Sequence, residues 1–543
     1  MDPIVTSAFR KELRDRATDP SGRRWVFVPY DQLSDRIGPL AREAPESLGI
    51  LVVEAPAKAA RRPYHKQKLA LVLANLRQFA LEQAARGVAV AHVVSPGDYA
   101  TAVRAFAREH GPLRCMRPAE RELRRDLAPA VEAGALELLP HEGWLTDREQ
   151  FERSRRGKDA WRMDAFYRLV RTETGLLMDA EGRPLGGRFS FDVENRLAWK
   201  GEPPAPTPPA FEPDAVTAEV LELVTERFAA HPGALDASSL PTTGPDAARL
   251  WDWAKRECLP VFGPYEDAMS VHSRGLFHTR VSALLHLHRL LPRTVVEDVA
   301  GLDVELRSKE GFVRQVLGWR EFVRHVHEAT DGFRRLPGDG GSRDAAALDE
   351  GASPSFLGAD RPLPPAYWGR ASGLHCLDET VRGVWRDGYA HHIERLMVQS
   401  NLASLLDVSP RELTDWFWVA YTDAFDWVVE PNVIGMGTFA LGPLLTTKPY
   451  VSGAAYIARM SDACGACAFD PKRTCPITSL YWSFLERHEG RLSDNPRLRM
   501  PYASLRKRAV ERRRRDRAVF DHVSEVLAAG DRLSPEGIAE ATS

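Results

Sequence analysis

Apolar and polar residues follow two different periods along this chain, and the change of period divides it. Near the beginning, short apolar runs at 25–28 and 50–53 predict buried strands. The segment 65–85 carries apolar residues at helical spacing, and Gly87 after it is typical of a helix end. The same reasoning predicts strands over 88–94, 113–116 and 136–139 and a helix over 98–110. Strands that alternate with helices indicate a doubly wound parallel α/β sheet.

Polar side chains follow the first two predicted strands. Asp31 and Gln32 stand after the first strand, and Glu54 stands after the second. Ligands on doubly wound sheets bind beyond the carboxyl ends of the strands, so these three residues are candidates for a ligand site. The chain has no GxGxxG fingerprint, which argues against a dinucleotide on this sheet.

Beyond the sheet the pattern becomes helical. The run 201–213 contains six prolines, which cannot form a helix or an inner strand, and it indicates a linker. After it, helical periodicity predicts helices near 246–258, 276–291, 310–329, 377–405 and 411–428, with a loop over 336–366. The predicted organisation is therefore an N-terminal extension without an assigned role (1–22), an α/β domain (23–145), a connector (146–235), a large all-α domain (236–535) and a short tail (536–543).

Composition and charge narrow the functional classes. The 543 residues are 44% hydrophobic, enough for a packed core, and none of their apolar runs reaches the ~18 residues of a membrane span. The polar start lacks the apolar core of a secretory signal, so we expect a soluble, cytoplasmic protein. With a net charge of −2, nucleic-acid binding needs a local basic patch. The segment 506–517 is eight-twelfths basic and predicts either a solvated helix face or a phosphate-binding surface.

Cysteine spacing is the most specific local signal. Cys464, Cys467 and Cys475 fall within twelve residues, directly before a proline, and Cys376 lies far upstream. A CxxC turn brings two thiolates to one centre, so the four residues predict either a zinc site or an iron–sulfur cluster. Scattered buried cysteines are the third alternative.

Three further segments combine charged and aromatic residues. In 318–322, GWREF, arginine and glutamate form either an internal ion pair or a ligand-facing helix surface. In 389–397, His392 and Arg395 are three apart and share a helix face, which suits acid–base chemistry near an anion, although paired histidines are often structural. The third segment, 422–450, predicts an apolar loop over 431–438 and places a lysine beside a tyrosine; it suits either an extruded base or core packing.

These segments together resemble the cryptochrome/photolyase superfamily, in particular its iron–sulfur bacterial cryptochromes and photolyases, the prokaryotic (6-4) photolyase branch. The resemblance covers about residues 25–502. It rests on GWREF, AHHIERLM, PNVIGM, TKPY and YIARMSDACGACAFDPKRTCP together with Cys376.

The resemblance implies light-driven repair of pyrimidine (6-4) pyrimidone lesions by reduced FAD, with UV-damaged DNA as partner and a monomeric protein. It implies flavin contacts from Thr279, Ser282, Trp319, Arg320, Arg395, Asp423 and Asn432. It implies that His392 protonates the lesion and that Met436, Lys448 and Tyr450 line the lesion pocket. Trp416, Trp368 and Tyr456 would carry electrons to the flavin.

Two further cofactors follow from the resemblance. Cys376, Cys464, Cys467 and Cys475 would hold a 4Fe-4S cluster. The antenna would be 6,7-dimethyl-8-ribityllumazine, bound by Asp31, Gln32 and Glu54, with His65 nearby.

The chain also departs from its relatives. The cysteine loop between Cys467 and Cys475 is shorter, Phe417 replaces a tyrosine, and the flavin-proximal segment 429–430 is rearranged. A cryptochrome-like photoreceptor with little repair activity is the alternative function. A zinc-stabilised DNA-binding protein is a third, suggested by the cysteines alone.

Overall fold

The computed structural model describes residues 7–155, 160–337 and 351–543. Five parallel strands form one sheet in the order β3-β2-β1-β4-β5. Their bounds are β1 Arg24–Phe27, β2 Leu48–Glu54, β3 Ala89–Val94, β4 Leu113–Met116 and β5 Leu136–Leu139. In the central register, Ile50 pairs with both Val26 and Val90. The predicted doubly wound α/β sheet is confirmed; the inner strand β2 is buried throughout, whereas the edge strands β3 and β5 are partly exposed.

The helices beside the sheet follow local signals. His65 caps the helix Lys66–Ala85, since its Nδ1 accepts a hydrogen bond from the backbone N–H of Gln67 at 3.0 Å. Gly87 has a φ of 90°, which ends the helix as predicted. The helix Arg121–Glu132, between β4 and β5, is absent from the sequence prediction because its many charges and internal proline obscure the buried residues.

The segments around the sheet are ordered as well. A helix Ala8–Asp15 buries Phe9, whose backbone N–H donates to Glu219 at 3.1 Å. Within the described residues of 146–235, the α-helices are Arg148–Arg155, Met163–Thr174 and Ala215–Arg227. The proline-rich run 201–213 forms neither helix nor strand.

The rest of the described chain is helical. Its α-helices of seven or more residues are Gly244–Trp253, Pro292–Gly301, Leu306–Val313, Glu321–Ala329, His375–Asp387, Pro410–Ala420, Ala454–Met460, Pro476–Arg487, Arg499–Arg506, Val510–Ala529 and Pro535–Ala541. Four wider π-helical turns are Ala254–Cys258, Arg314–Arg320, Arg395–Ser400 and Glu430–Gly437. Shorter helices include Ser282–His286, His392–Glu394, Asn401–Leu405 and Asp426–Val429. The predicted all-α character of this region is confirmed.

Several predicted helices are shorter than their periodicity suggests. Over 276–291 only Ser282–His286 is helical, because Leu276, Arg280 and His288 have positive φ values of 39°, 58° and 59°. Such left-handed residues interrupt a right-handed helix. The predicted helix 377–405 breaks at Gly388, whose φ is 63°.

Two other expectations change. The helix predicted over 411–428 ends at Ala420 and resumes at Asp426. The apolar loop predicted over 431–438 is wrong, because Glu430–Gly437 is a π-helical turn. Of the predicted loop 336–366, residues 338–350 lie outside the described residues. Within the described ranges no helix has both the length and the apolarity that crossing a bilayer would take.

The sheet and the helical region share one hydrophobic core. Tyr30, after β1, stacks on Phe425 at 6.2 Å between ring centres. Lys68 donates hydrogen bonds to the carbonyls of Trp418 and Ala424. The carboxyl ends of the strands therefore face the helical site directly.

Candidate active site

An ion pair between the half-buried Arg395 and the buried Asp423 forms the centre of the helical region. The two guanidinium Nη atoms donate to the two carboxylate oxygens, each at 3.0 Å. Ser282 Oγ donates to the same carboxylate at 2.7 Å. Burial alone raises the pKa of Asp423, but the Arg395 guanidinium outweighs it and lowers that pKa, so the carboxylate stays ionised. The structure thus brings together three residues that the resemblance assigns to the flavin.

The local backbone explains how the arginine reaches its partner. Arg395 Nε donates to the Ala390 carbonyl at 2.7 Å, and its guanidinium lies 4.0 Å from the Tyr421 ring centre. Asp423 follows the helix Pro410–Ala420, in a turn that exposes its carboxylate to the arginine. A bidentate pair stacked on an aromatic ring is rigid, so it can fix a ligand in one orientation.

The segment before Ser282 contains buried polar groups without partners. Thr279 is buried, and it lies between His278 and Arg280. Among the described residues, Arg280 Nε and His278 Nε2 are buried with no hydrogen-bond partner, as is Glu394 Oε2. Buried polar groups are nearly always satisfied, so these atoms fit a polar ligand that is not part of the chain.

Arg320, predicted for the flavin wall, makes its described contacts within the protein. Its Nη1 lies 3.0 Å from Glu321 Oε1, and its Nη2 donates to the Leu285 carbonyl at 3.1 Å. The guanidinium carbon lies 4.1 Å from the Trp144 ring centre. The internal ion pair, one of the two alternatives for this helix, is therefore present. Trp319 is half-buried beside it, and a flavin contact of either residue stays a prediction.

Asn432 lies in the π-helical turn Glu430–Gly437, and its Nδ2 donates to the Val428 carbonyl at 2.8 Å. Both carboxylate oxygens of the neighbouring Glu430 have partners within the protein. Oε1 lies 2.8 Å from Arg411 Nη1, and Oε2 lies 2.9 Å from His327 Nε2. Burial raises the pKa of Glu430, but His327 and Arg411 outweigh it and lower that pKa to about 2. Asn432 is half-buried, so it is the more accessible of the two.

His392 stands at the exposed side of this centre. Its side chain is 41% exposed, and its Nε2 lies 3.7 Å from Asp267 Oδ1. The hydroxyl of Tyr456 donates to Asp267 Oδ2 at 3.3 Å. Asp267, which sequence reasoning missed, therefore joins two predicted site residues.

Two further histidines pack beside His392. One ring nitrogen of each of His278, His391 and His392 lies within 4.8 Å of the other two. However, the rings of His278 and His391 are stacked at 4.4 Å and 11°. Because a metal binds in the plane of an imidazole, parallel rings cannot converge on one ion. Burial, followed by the neighbouring histidines, keeps the pKa of His278 and His391 well below its usual range, so both are neutral.

The predicted lesion residues lie on this exposed side. The charges of Arg497 and Arg196 both act on Lys448 and Tyr450. Arg196 Nε in turn lies 3.8 Å from Asp267 Oδ2, which connects this group to His392. Met436 is half-buried in the π-helical turn, and no described polar contact ties it to them.

The four predicted cysteine ligands converge. Cys376 is the second residue of the helix His375–Asp387, and Cys475 caps the helix Pro476–Arg487. Cys464 and Cys467 lie in and after the short turn between them. Burial, and then the three other thiols, raises the pKa of Cys376 well above its usual range. Such mutual repulsion requires proximity, and a bound cationic centre would relieve it.

The spacing of these thiols bears on the zinc alternative. A single tetrahedral zinc ion places its sulfurs about 3.8 Å apart, since Zn–S bonds are about 2.3 Å. Within the described chain, the set of three ligand atoms found within 4.8 Å of one another consists of histidines, not of cysteines. No three of the described thiol sulfurs therefore lie within 4.8 Å of one another, as they would around a single zinc ion. A larger group with four thiolate ligands, such as a 4Fe-4S cluster, fits them better.

A third indole, which sequence reasoning missed, joins Trp416 to Trp368. The Trp385 ring centre lies 6.1 Å from that of Trp416 and 5.5 Å from that of Trp368. The indole N–H groups of Trp385 and Trp416 donate to one carbonyl, that of Tyr367, at 2.9 and 2.8 Å. Trp416 is buried and Trp368 is 49% exposed, and both line a surface cleft of about 850 Å³.

Tyr456 lies apart from this indole stack. Its described partners are Asp267 and Arg459, neither of which belongs to the stack. Phe417 instead contacts Trp416 at 5.2 Å between ring centres. A single sequence gives no signal for Trp385, because its contacts come from elements far apart along the chain.

An internal cavity of about 100 Å³ lies beyond the ends of β1 and β2. Its aromatic lining is Tyr30, Tyr64, Tyr99, Phe228, Trp418 and Phe425, and its charged lining is Glu54, Lys58, Lys68, Glu120 and Arg227. The Lys58 Nζ lies 3.4 Å from Glu120 Oε1. Chromophore-sized ligands usually occupy roughly 300 Å³ or more, so the cavity does not fit a lumazine as it stands.

The predicted antenna residues are only partly at this cavity. Glu54 lines it but is bound by Arg77 at 2.6 Å and by His92 at 3.0 Å. Gln32 Nε2 donates to the Met116 carbonyl at 2.7 Å, and neither it nor Asp31 lines the cavity. His65 is also absent from the lining, because it caps a helix and stacks on Trp385 at 5.9 Å.

Comparison with known proteins gives a consistent result. A family described as deoxyribodipyrimidine photo-lyase-related protein matches residues 26–240. A (6-4) photolyase of Agrobacterium fabrum is 32% identical over 497 residues, which cover 88% of this chain and 94% of that relative.

Two solved structures share the fold. A bacterial class III photolyase from Agrobacterium tumefaciens gives a TM-score of 0.54 at 15% identity, covering 94% of this chain and 99% of that one. A Synechocystis cryptochrome also gives 0.54 at 15% identity, covering 89% and 92%.

Proposed function

The chain belongs to the photolyase/cryptochrome family, since a (6-4) photolyase is 32% identical over 88% of it, and on that premise we propose that it is a (6-4) photolyase. Its substrate is a pyrimidine (6-4) pyrimidone lesion in UV-damaged DNA. The observation that carries the proposal is one helical turn, in which His392 is exposed and the half-buried Arg395 is paired with the buried Asp423. This places a solvent-accessible acid–base group one turn from a rigid charge pair.

We propose that the buried centre binds FAD. The residues that would hold it are Thr279, Ser282, Trp319, Arg320, Arg395, Asp423 and Asn432. Bound there in its reduced form, FAD would supply the light-driven, reversible electron donation that repair of the lesion requires. The partnerless nitrogen of Arg280 beside Thr279 suits a cofactor phosphate, and the Arg395–Asp423 pair fixes charge at a buried position.

In this proposal His392 gives a proton to the lesion. It is the histidine of the cluster that solvent reaches, whereas His278 and His391 are buried and neutral. Photolyases as a class extrude the damaged base from the duplex, so the lesion can approach an exposed ring. Lys448 and Tyr450 would contact it there, and the nearby Arg497 would attract DNA phosphates.

We also propose that electrons reach the flavin along Trp368, Trp385 and Trp416. The two inner indoles donate their N–H groups to a carbonyl, which accepts hydrogen bonds but is a poor proton acceptor. An oxidised indole therefore keeps its proton and can pass the charge outward. Tyr456 has no described contact with this stack, so its part in the route rests on the resemblance alone.

The cysteine centre would hold a 4Fe-4S cluster. Its chemistry is checked by iron and sulfide assays and by the brown colour of the purified protein; a colourless, zinc-bearing preparation would overturn this assignment. We further expect Cys464→Ala to yield little soluble protein, since folding around a metal centre is coupled to its occupancy. The lumazine antenna stays a prediction, checked by extracting chromophores, and we derive no step from it.

The decisive test is illumination of the reduced protein with an oligonucleotide that carries one (6-4) lesion. Loss of the lesion's near-UV absorption is the expected result, and darkness is the control. Intact flavin photoreduction without lesion loss would instead support the photoreceptor function. An undamaged oligonucleotide of the same sequence corrects for light-driven side reactions.

A further inference from the structure

The first turns of the helix Val510–Ala529 concentrate positive charge. The segment 506–517 contains eight lysines and arginines and only two carboxylates, although the whole chain has a net charge of −2. Its apolar side is anchored, because Val519, Phe520 and Val523 are buried. Arg512, Arg514 and Arg515 are therefore held on a packed helix, and Arg506 and Lys507 stand at the end of the preceding helix Arg499–Arg506.

Most of these charges have no acidic partner. Arg508 pairs with Asp516, and Arg513 and Arg517 share Glu486. In the described structure no ion pair involves the remaining exposed five, which are Arg506, Lys507, Arg512, Arg514 and Arg515. Like charges at this density repel one another, and the positive end of the helix dipole adds to the repulsion. A polyanion would remove that cost.

The patch continues from the lesion side of the molecule. Arg497 acts on Lys448 and Tyr450, and the nearby Asn495 donates to the Thr447 carbonyl at 2.8 Å. The helix Arg499–Arg506 then leads directly to the patch, over a length of about 12 Å. Double-stranded DNA carries a phosphate charge about every 1.7 Å, so a duplex held at the lesion pocket passes several phosphates over this distance.

We propose that Arg506, Lys507, Arg512, Arg514 and Arg515 form a second DNA-binding surface, which holds backbone phosphates of the duplex flanking the lesion. The inference rests on the proposed photolyase function. Phosphate contacts carry no sequence information, so this surface contributes affinity and salt dependence rather than lesion specificity. Damaged and undamaged duplexes should use it equally.

The test compares the triple variant Arg512→Gln, Arg514→Gln, Arg515→Gln with wild type. All three side chains are exposed, so the fold should be kept. Binding to a lesion duplex of about 30 base pairs should show a salt slope smaller by roughly 2.7, or 0.9 for each lost phosphate contact. An undamaged duplex of the same length should show the same decrease in slope, because phosphate contacts carry no sequence information.

The matched control replaces Arg10, Arg104 and Arg108, three exposed arginines in the sheet half that make no described ion pair. Its salt slope should equal that of wild type. An unchanged slope in the patch variant, or an equal change in both variants, would overturn the inference. Repair of saturating lesion under light separates the two proposals: wild type that binds but does not repair contradicts the photolyase function, whereas repair with an unchanged slope contradicts only the second surface.

Discussion

Two buried carboxylate–guanidinium pairs, one in each half of the molecule, have opposite surroundings. In the sheet half, Glu54 accepts from Arg77 at 2.6 and 3.1 Å and contacts His92 at 3.0 Å, and Arg77 also reaches Glu219. In the helical half, Asp423 pairs with Arg395 equally well. Among the described residues, Glu54, Arg77 and His92 have no buried side-chain atom without a partner, whereas Arg280 Nε, His278 Nε2 and Glu394 Oε2 in the helical half are buried and unpartnered.

This difference shows that the role of an ion pair can be inferred from the polar atoms around it. A network whose donors and acceptors are all satisfied within the chain stabilises the native structure and needs nothing more. A rigid pair beside buried polar atoms without partners, such as Glu394 Oε2 and Arg280 Nε, indicates a site that binds a polar ligand. We therefore expect substitutions in the sheet half and in the helical half to differ in their effects on stability and on ligand binding.

The largest expected effect is on the helical side. His392→Ala should lower the rate of lesion repair by about 10²- to 10⁴-fold, the usual contribution of a positioned acid–base group. Binding of lesion DNA should remain, because the arginines and Lys448 are unchanged. Single-turnover repair under saturating light is the measurement, and His375→Ala, on a neighbouring helix, is the control. Wild-type repair by the His392 variant would contradict the proton-donor role.

The two pairs can be compared directly. Removing one partner of a buried pair costs about 3–5 kcal/mol, so Glu54→Gln and Asp423→Asn should both lower the free energy of unfolding. Added FAD should raise the melting temperature of the Glu54 variant, because ligand that binds only the native state stabilises it. It should not raise that of the Asp423 variant. Equal responses to FAD would remove the distinction between the two sides.

A pH test sharpens the sheet side. Burial raises the pKa of Asp31 to about 7, from an ordinary value of 3.8. The contribution of protonated Asp31 to the free energy of unfolding is therefore fully present below pH 3.8 and is lost as the pH rises through 7. At about 1.4 kcal/mol for each pH unit between these two values, the loss is a few kcal/mol at most.

Asp31→Asn should abolish this loss, so the variant should gain stability relative to wild type between pH about 4 and about 7. Urea unfolding at several pH values measures it. The helical side has a counterpart in Glu394, whose pKa burial also raises to about 7. FAD should change the pH dependence contributed by Glu394 but not that of Asp31, and parallel pH curves for the two variants with FAD would contradict the comparison.

The smallest expected effect concerns the indole stack. Trp385→Phe should slow photoreduction of the flavin about tenfold, equivalent to about 1.4 kcal/mol of barrier, because one relay is lost while bulk is kept. Trp482→Phe, which lies beside Arg508 outside the stack, is the matched control. Repair by chemically reduced protein should not change in either variant. Unslowed photoreduction would show that electrons bypass Trp385.

Much of the site could be predicted from local patterns. The four cysteines stand at spacings that specify a shared centre, and Arg395 with Asp423 forms the ion pair that the resemblance implied. Asp267, Trp385 and Arg280 could not be predicted, because none belongs to a motif. Asp267 and Trp385 gain their significance from contacts with residues that are distant in sequence, and Arg280 gains it from a buried nitrogen without a hydrogen-bond partner.

Errors in the fold have a physical pattern too. The strands were found because a buried parallel strand is a short continuous apolar run. The helix breaks at Arg280 and Gly388 and the π-helical turn Glu430–Gly437 were missed. Such irregular turns preserve the apolar periodicity of the helices they interrupt, so a prediction from periodicity does not detect them.

Local sequence patterns were enough to predict the parallel sheet, the helical character of the remainder and the cysteine and histidine residues that form clusters. Which side chains contact one another depends on the tertiary structure. Asp267 lies between His392 and Tyr456, and Trp385 lies between two other indoles. Glu54 is bound by Arg77. The reason is that hydrophobic periods act over a few residues, whereas these contacts depend on how separate helices pack, which no local pattern encodes.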